Sequence, residues 1–248
     1  MICCGAGVAD VHLCDSWDGE GEAMRATFHA QLDELVTDLV RMTRLAGQMM
    51  TNAAIALHQG DVALAEVVIA KRDQMNAMHD DTEQRCIILL ARRPPVAGDL
   101  RAVVAALRAV GHLKRMGNLA RHIALIARLK HPNPMTAAEV RPVLARMSLL
   151  ASQFAEDAAL VIERQEFGSE SQLAEADHEV DALRRHLFGI LFAEDWPHGV
   201  EQAVDAALIG RYYERFADHA VAVAAEARYL PTRRTPEPHG LETGCPRR

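Results

Sequence analysis

The chain has 248 residues, 50% of them apolar and 4% aromatic, with 27 Lys/Arg against 34 Asp/Glu for a formal charge of −7. That is enough apolar material for a core, which excludes wholesale disorder, and few aromatics beside abundant Ala, Leu, Met, Arg and Glu favour helix over a large sheet. The acidic balance argues against nucleic acid as a partner, no apolar run approaches the ~18 residues of a spanning helix, and five cysteines, four of them near the ends, give no disulfide framework, so a reducing cytoplasm is the expected location.

Residues 1–23, MICCGAGVADVHLCDSWDGEGEA, carry no helical period and read as a disordered leader or an over-extended start. Cys3, Cys4, His12 and Cys14 match no metal-ligand spacing. From Met24 the pattern changes. Phe28, Leu32, Leu35, Leu39, Met42, Leu45, Met49 and Ala53 recur every three or four residues, the stripe of an amphipathic helix. Gly60 is placed to cap its end and Asp61 to open the next helix. That second helix is expected to reach about Leu90 and stop at RRPPVAGD, because proline lacks the N–H that a helix interior requires. A third follows to KHPNP.

The cycle then repeats. TAAE, from Thr136 to Glu139, and SESQ, from Ser169 to Gln172, have the form of capping boxes for helices four and five. Pro142 falls in the early turns of the fourth and is expected to bend it slightly. The sixth is expected from about Val200 to Tyr229, and residues 231–248, rich in Pro and Arg, read as a disordered tail.

The two triplets align. Arg41-Met42 matches Arg146-Met147 and Ala77-Met78 matches Ala182-Leu183 at an offset of 105; beyond a shorter second loop the offset is 100, and KRMGNLA meets ERFADHA. An internal duplication follows, and with it an all-α fold of two tandem antiparallel three-helix bundles, residues 24–133 and 134–230. The copies differ in charge: residues 24–133 hold 15 Lys/Arg against 10 Asp/Glu, a net +5, and residues 134–231 hold 8 against 17, a net −9.

Asp177 and Asp181 on helix five, and Glu214 and Asp218 on helix six, occupy the positions of Arg72 and Asn76, and of Lys114 and Asn118, in the first copy. Residues four apart share a helix face, so each acidic pair aims one way, and one short loop lets the pairs face each other. Two like charges at that spacing cost only about 0.2–0.5 kcal/mol, which a solvated face absorbs; four converging, partly desolvated carboxylates cost several kcal/mol per ion without a cation. The phase of helix six sets Glu214 and Asp218 almost opposite its stripe Ile209, Phe216, Ala220, Val223, so the acids are expected outside the core, as either a solvated acidic face or a metal site. Oxygen ligands favour Mg, Mn or Fe, with Zn admissible. His178 and His219 follow the acids by one residue, about 100° away, and are expected at the surface.

The doubled triplet, LLARRPPVAGDLR after helix two, KRMGNLARHIA and ERFADHAVAVAAE resemble the PhoU family of phosphate-uptake regulators across about residues 24–229. The resemblance implies metal ions bound by acidic pairs on adjacent helices, which fall here on Asp177, Asp181, Glu214 and Asp218. The first copy departs from that pattern, so a divalent or ferric ion (Fe, Zn, Mn or Mg) is expected at the second bundle only, with a salt bridge from Lys114 or Arg72 to a neighbouring acid in the first. It also implies a non-enzymatic homodimer that works between a phosphate ABC transporter ATPase subunit and a sensor histidine kinase, as a negative regulator of phosphate uptake. A ferritin-like di-iron bundle needs two Glu-x-x-His segments projecting inward, and only EADH, Glu175 to His178, has that spacing. An inert dimerisation module is the remaining alternative.

Overall fold

The computed structural model describes residues 12–92, 97–131, 136–164 and 170–231, and the side chains of 25–91, 97–131, 136–164 and 178–231. The described residues form α1 (His12–Gln59), α2 (Val62–Arg92), α3 (Ala97–Lys130), α4 (Arg141–Arg164), α5 (Glu170–Leu191) and α6 (Gly199–Ala227), with no strand among them. Among the described residues no helix is long and apolar enough to cross a membrane.

The expected stripe of α1 faces inward: Leu32, Leu35, Leu39, Met42, Met49 and Ala53 are all 2% exposed or less. The turn after it closes as its residues require. Gly60 takes a left-handed φ of 70°, and the Asp61 carboxylate accepts the Leu64 N–H at 2.9 Å, capping α2. Two boundaries differ from expectation. α1 begins at His12, ahead of Met24, so helix reaches back beyond its apolar stripe; residues 1–11 and the tail from 232 lie outside the described residues. TAAE does not open α4, which begins at Arg141 after a turn in which the Ala137 carbonyl accepts the Arg141 N–H at 3.2 Å. Pro142 therefore sits in the first turn, where a missing N–H is tolerated and no bend is needed.

Each repeat is a three-helix bundle, and the two share an extensive interface. α1 packs on α2, α3 and α4; α6 packs on α3, α4 and α5. Four helices, α1, α3, α6 and α4, thus form a central four-helix ring, with α2 docked outside α1/α3 and α5 outside α4/α6. This explains a second apolar face on α1, where Val36, Val40, Ala46 and Met50 are buried as well. It also explains the alanines of α3 (Ala102, Ala105, Ala106, Ala109, Ala120, Ala124, Ala127), all buried, which let helices approach on more than one side. At the α1/α4 crossing Gly47 lies so close to Ala155 that a Cβ there would stand 3.0 Å from the alanine methyl.

Ion pairs follow the charge asymmetry of the halves. Arg44 to Glu163, Arg108 to Glu226, and Lys130 to both Glu201 and Asp205 each run from a base of the first repeat to an acid of the second. Part of the opposite charge read from the sequence is therefore used within the molecule.

Candidate functional site

The α5/α6 seam carries the predicted acids. α5 and α6 run antiparallel, and two contacts fix their register: Leu187 lies against Gly210, and Arg184 Nε stands 3.5 Å from Glu214 Oε1. One turn further along each helix this register sets Asp181 level with Asp218. Asp177 lies on α5, but its side chain is outside the described residues.

Glu214 is only 8% exposed, so the expectation that it lies outside the core is corrected. α6 is packed by three helices at once, which leaves its non-core face covered by α5. Arg211 Nη1 meets Glu214 Oε1 at 2.7 Å, beside Arg184, while Glu214 Oε2 is buried without a hydrogen-bond partner. Asp181 is half-buried, and Asp218, with a side chain 40% exposed, lies 3.6 Å from Arg215. The donors are all oxygen, which suits a hard cation, and the unpartnered Glu214 oxygen is an acceptor such an ion could satisfy, but Asp181, Glu214 and Asp218 do not bring their oxygens within 4.8 Å of one another. Against this, three guanidiniums already bring positive charge to the seam.

The equivalent seam of the first repeat, between α2 and α3, is filled by its own ammonium group. Lys114 Nζ, at the position of Glu214, lies 3.3 Å from His79 Nδ1 and 3.7 Å from Asp80, so the expected bridge from Lys114 to a neighbouring acid is present. His79, Asp80 and Glu83 place ligand atoms within 4.8 Å of one another. The ammonium between two of them supplies the charge that a metal would otherwise bring. The His79 hydrogen bond, 2.8 Å, is the first cause of a lowered pKa at the exposed Asp80 carboxylate, with Lys114 adding to it.

Two further places were not legible as sites. Along the α3/α6 seam His112 Nδ1 and His219 Nδ1 are 3.0 Å apart, and His122 stacks on Tyr212 with ring centroids 5.4 Å apart. His219 is 8% exposed, which corrects its placement at the surface. Burial, with His112, Arg215 and Arg115 adding to it, pushes its pKa down to about 4; burial also lowers His112, against the opposing pull of Glu226. On the opposite face, a groove of about 450 Å³ between α1 and α4 is lined by Arg44, Gln48, Thr51, Asn52, Ser152 and Glu156. Thr51 donates to the Ser152 hydroxyl at 3.0 Å across it. The one sequence signal for either is the second apolar face of α1, which announces another partner for that helix.

Comparison with known proteins accords with this architecture. The family model described as "PhoU domain" matches twice, at residues 39–127 and 144–227. The chain is 42% identical over 214 residues to the phosphate-specific transport system accessory protein PhoU homolog 1 of Mycobacterium leprae, covering 86% of this chain and 96% of that protein. It is 43% identical over 201 residues to PhoU homolog 2 of Mycobacterium tuberculosis, covering 81% and 94%. Among solved structures, PhoU from Pseudomonas aeruginosa superposes with a TM-score of 0.74 at 26% identity, over 82% of this chain and 98% of that one. With the matches covering both three-helix repeats, the chain belongs to the PhoU family.

Proposed function

We propose that the chain is the accessory regulator of a phosphate-specific transport system. In this reading it is a non-enzymatic cytoplasmic homodimer that contacts the transporter's ATPase subunit and a sensor histidine kinase. It damps uptake and the starvation response when phosphate is plentiful. The observation that carries the reading is the 42% identity, spanning both repeats, to a protein named for that accessory role. A helical bundle with many exposed helix faces suits a protein that acts by contact. Deleting the gene is expected to derepress phosphate-responsive genes in phosphate-rich medium, and unchanged expression overturns the proposal. Co-purification from phosphate-replete cells identifies the partners.

The α5/α6 seam is assigned to a hard or borderline cation (Mg, Mn, Fe or Zn) held by Asp177, Asp181, Glu214 and Asp218. The unpartnered Glu214 Oε2 and the shared register of Asp181 and Asp218 support it. The ion would supply fixed positive charge that orders the seam, while Arg184 and Arg211 hold the Glu214 carboxylate in place. A second reading is favoured by those same arginines: the acids are neutralised within the protein and the face is inert. Elemental analysis separates the two. Lower metal content in Asp181→Asn and Asp218→Ala supports the cation site, and unchanged metal content with unchanged regulation supports the inert face.

A further inference from the structure

We infer that His112 and His219 form a second, nitrogen-based site for a divalent transition-metal ion such as zinc, clasping the two repeats across the α3/α6 seam. The two Nδ1 atoms lie 3.0 Å apart although 107 residues separate them in the chain. Zinc binds imidazole nitrogen at about 2.0–2.1 Å, so two tetrahedral ligands stand roughly 3.3 Å apart, a spacing the pair meets with a shift of a few tenths of an ångström. Imidazole suits zinc and its neighbours rather than the hard cations of an all-carboxylate set, so this site differs in chemistry from the α5/α6 seam.

A carboxylate stands nearby, although its oxygens do not come within 4.8 Å of both imidazoles. Glu226 lies two turns after His219 on α6, its charge acts on His112, and its Oε2 is buried without a hydrogen-bond partner. Arg108 meets the other oxygen, Oε1, at 3.6 Å, leaving Oε2 to accept from an ion-bound water. Opposing a cation here is the positive charge of Arg115 and Arg215 near His219. Arg215 is engaged by Asp218 at 3.6 Å, and the same surroundings hold both imidazoles neutral, the form whose lone pairs bind metal. Binding through Nδ1 leaves the remaining ring proton on Nε2 of each histidine.

The pair is not a by-product of the duplication. At the offset of 100, the counterpart of His112 is Tyr212 and that of His219 is Leu119, so the other end of the pseudo-symmetric seam has no such pair. Because one ligand comes from each repeat, the ion would bind only the docked arrangement and would tie the halves together.

The test is a zinc titration of chelator-stripped protein by calorimetry, with cobalt(II) absorption reporting nitrogen ligation. Wild type is expected to take up zinc in a step that His112→Tyr weakens at least about tenfold. That variant uses the residue which α6 already carries at the equivalent place, and Glu226→Gln, expected to weaken the same step less, provides a second variant should it fail to fold. Asp181→Asn and Asp218→Asn are expected to leave this step intact, which separates it from the acidic seam. Zinc uptake unchanged in both His112→Tyr and Glu226→Gln, or no uptake by wild type at about 100 μM zinc, overturns the inference.

Discussion

Arg184 and Glu214 face each other at 3.5 Å across the α5/α6 seam, and their counterparts in the first repeat, His79 and Lys114, face each other at 3.3 Å, with the permanent cation now on the other helix. The duplication has kept a polar contact and changed its chemistry, an ion pair in the second copy and an ammonium beside an imidazole in the first, with Asp80 supplying the acid. The two copies differ in burial, and burial decides what each contact contributes. The Glu214 side chain is 10% exposed and held by two guanidiniums, whereas that of Lys114 is 35% exposed and its partner Asp80 is 70% exposed. Glu214→Gln, which leaves Arg184 and Arg211 with a weaker acceptor, is expected to cost about 2 kcal/mol in denaturant unfolding. Lys114→Met is expected to change stability by less than about 1 kcal/mol, as exposed pairs do. Equal effects would mean that the two seams are equally wet.

The α1/α4 crossing depends on an absent side chain. A Cβ at Gly47 would stand 3.0 Å from the Ala155 methyl, itself fixed to helix backbone, so the helices must separate to admit it. Overpacking of this kind costs about 1–3 kcal/mol, against roughly 1 kcal/mol gained by replacing glycine within a helix. Gly47→Ala is therefore expected to be neutral to destabilising by about 2 kcal/mol. Gly111, mid-helix in α3, has no atom within 4 Å of the equivalent position, and Gly111→Ala is expected to stabilise by about 0.5–1 kcal/mol. Thermal unfolding of the two variants side by side checks the contrast.

The helices, their order and the doubling were legible because each rests on local or periodic signals: the Leu32 to Ala53 stripe, the Gly60-Asp61 turn, the paired KRMGNLA and ERFADHA segments. What joins the halves was not. His112 and His219 belong to no shared period, and only the packing of α3 on α6 brings them together. The burial of Glu214 escaped for a related reason: a stripe identifies the face toward one neighbour, while α6 has three. Pro142 was placed one turn too deep because TAAE has the form of a capping box, yet the chain there makes a turn and starts the helix at Arg141.

Acid should loosen the molecule before its carboxylates titrate. Burial lowers the pKa of His58, with Arg141 adding to it, and neither ring nitrogen of His58 has a hydrogen-bond partner; His112 is lowered too, and His219 to about 4. A histidine whose folded pKa lies below its unfolded value binds more protons when unfolded. Its stabilising contribution is complete above pH 6.5 and is lost as pH falls through the folded value. Stability of chelator-treated protein is expected to decline from pH 6.5 toward pH 4, each such histidine adding at most about 1.4 kcal/mol per pH unit. His58→Leu is expected to make that decline shallower. A flat profile over this range would show these imidazoles to be solvated.

Lys130 tests whether the charge asymmetry of the repeats serves their docking. It lies at the end of α3, its side chain 23% exposed, paired with Glu201 and with Asp205, whose side chain is 20% exposed. The two carboxylates raise its pKa, chiefly through the Asp205 hydrogen bond, so the ammonium and its contacts persist through the neutral range. Lys130→Glu would set three acids together and is expected to cost about 1–3 kcal/mol, measured by denaturant unfolding at low ionic strength. Asp205→Lys alone would oppose Lys130 and also destabilise, whereas the two together restore opposite charges across the seam. A double-mutant cycle is therefore expected to return a favourable coupling of about 0.5–2 kcal/mol that shrinks in high salt. Coupling near zero would mean that the apolar faces of α1, α3, α4 and α6 dock the repeats unaided, freeing the opposite charges of the two halves for external partners.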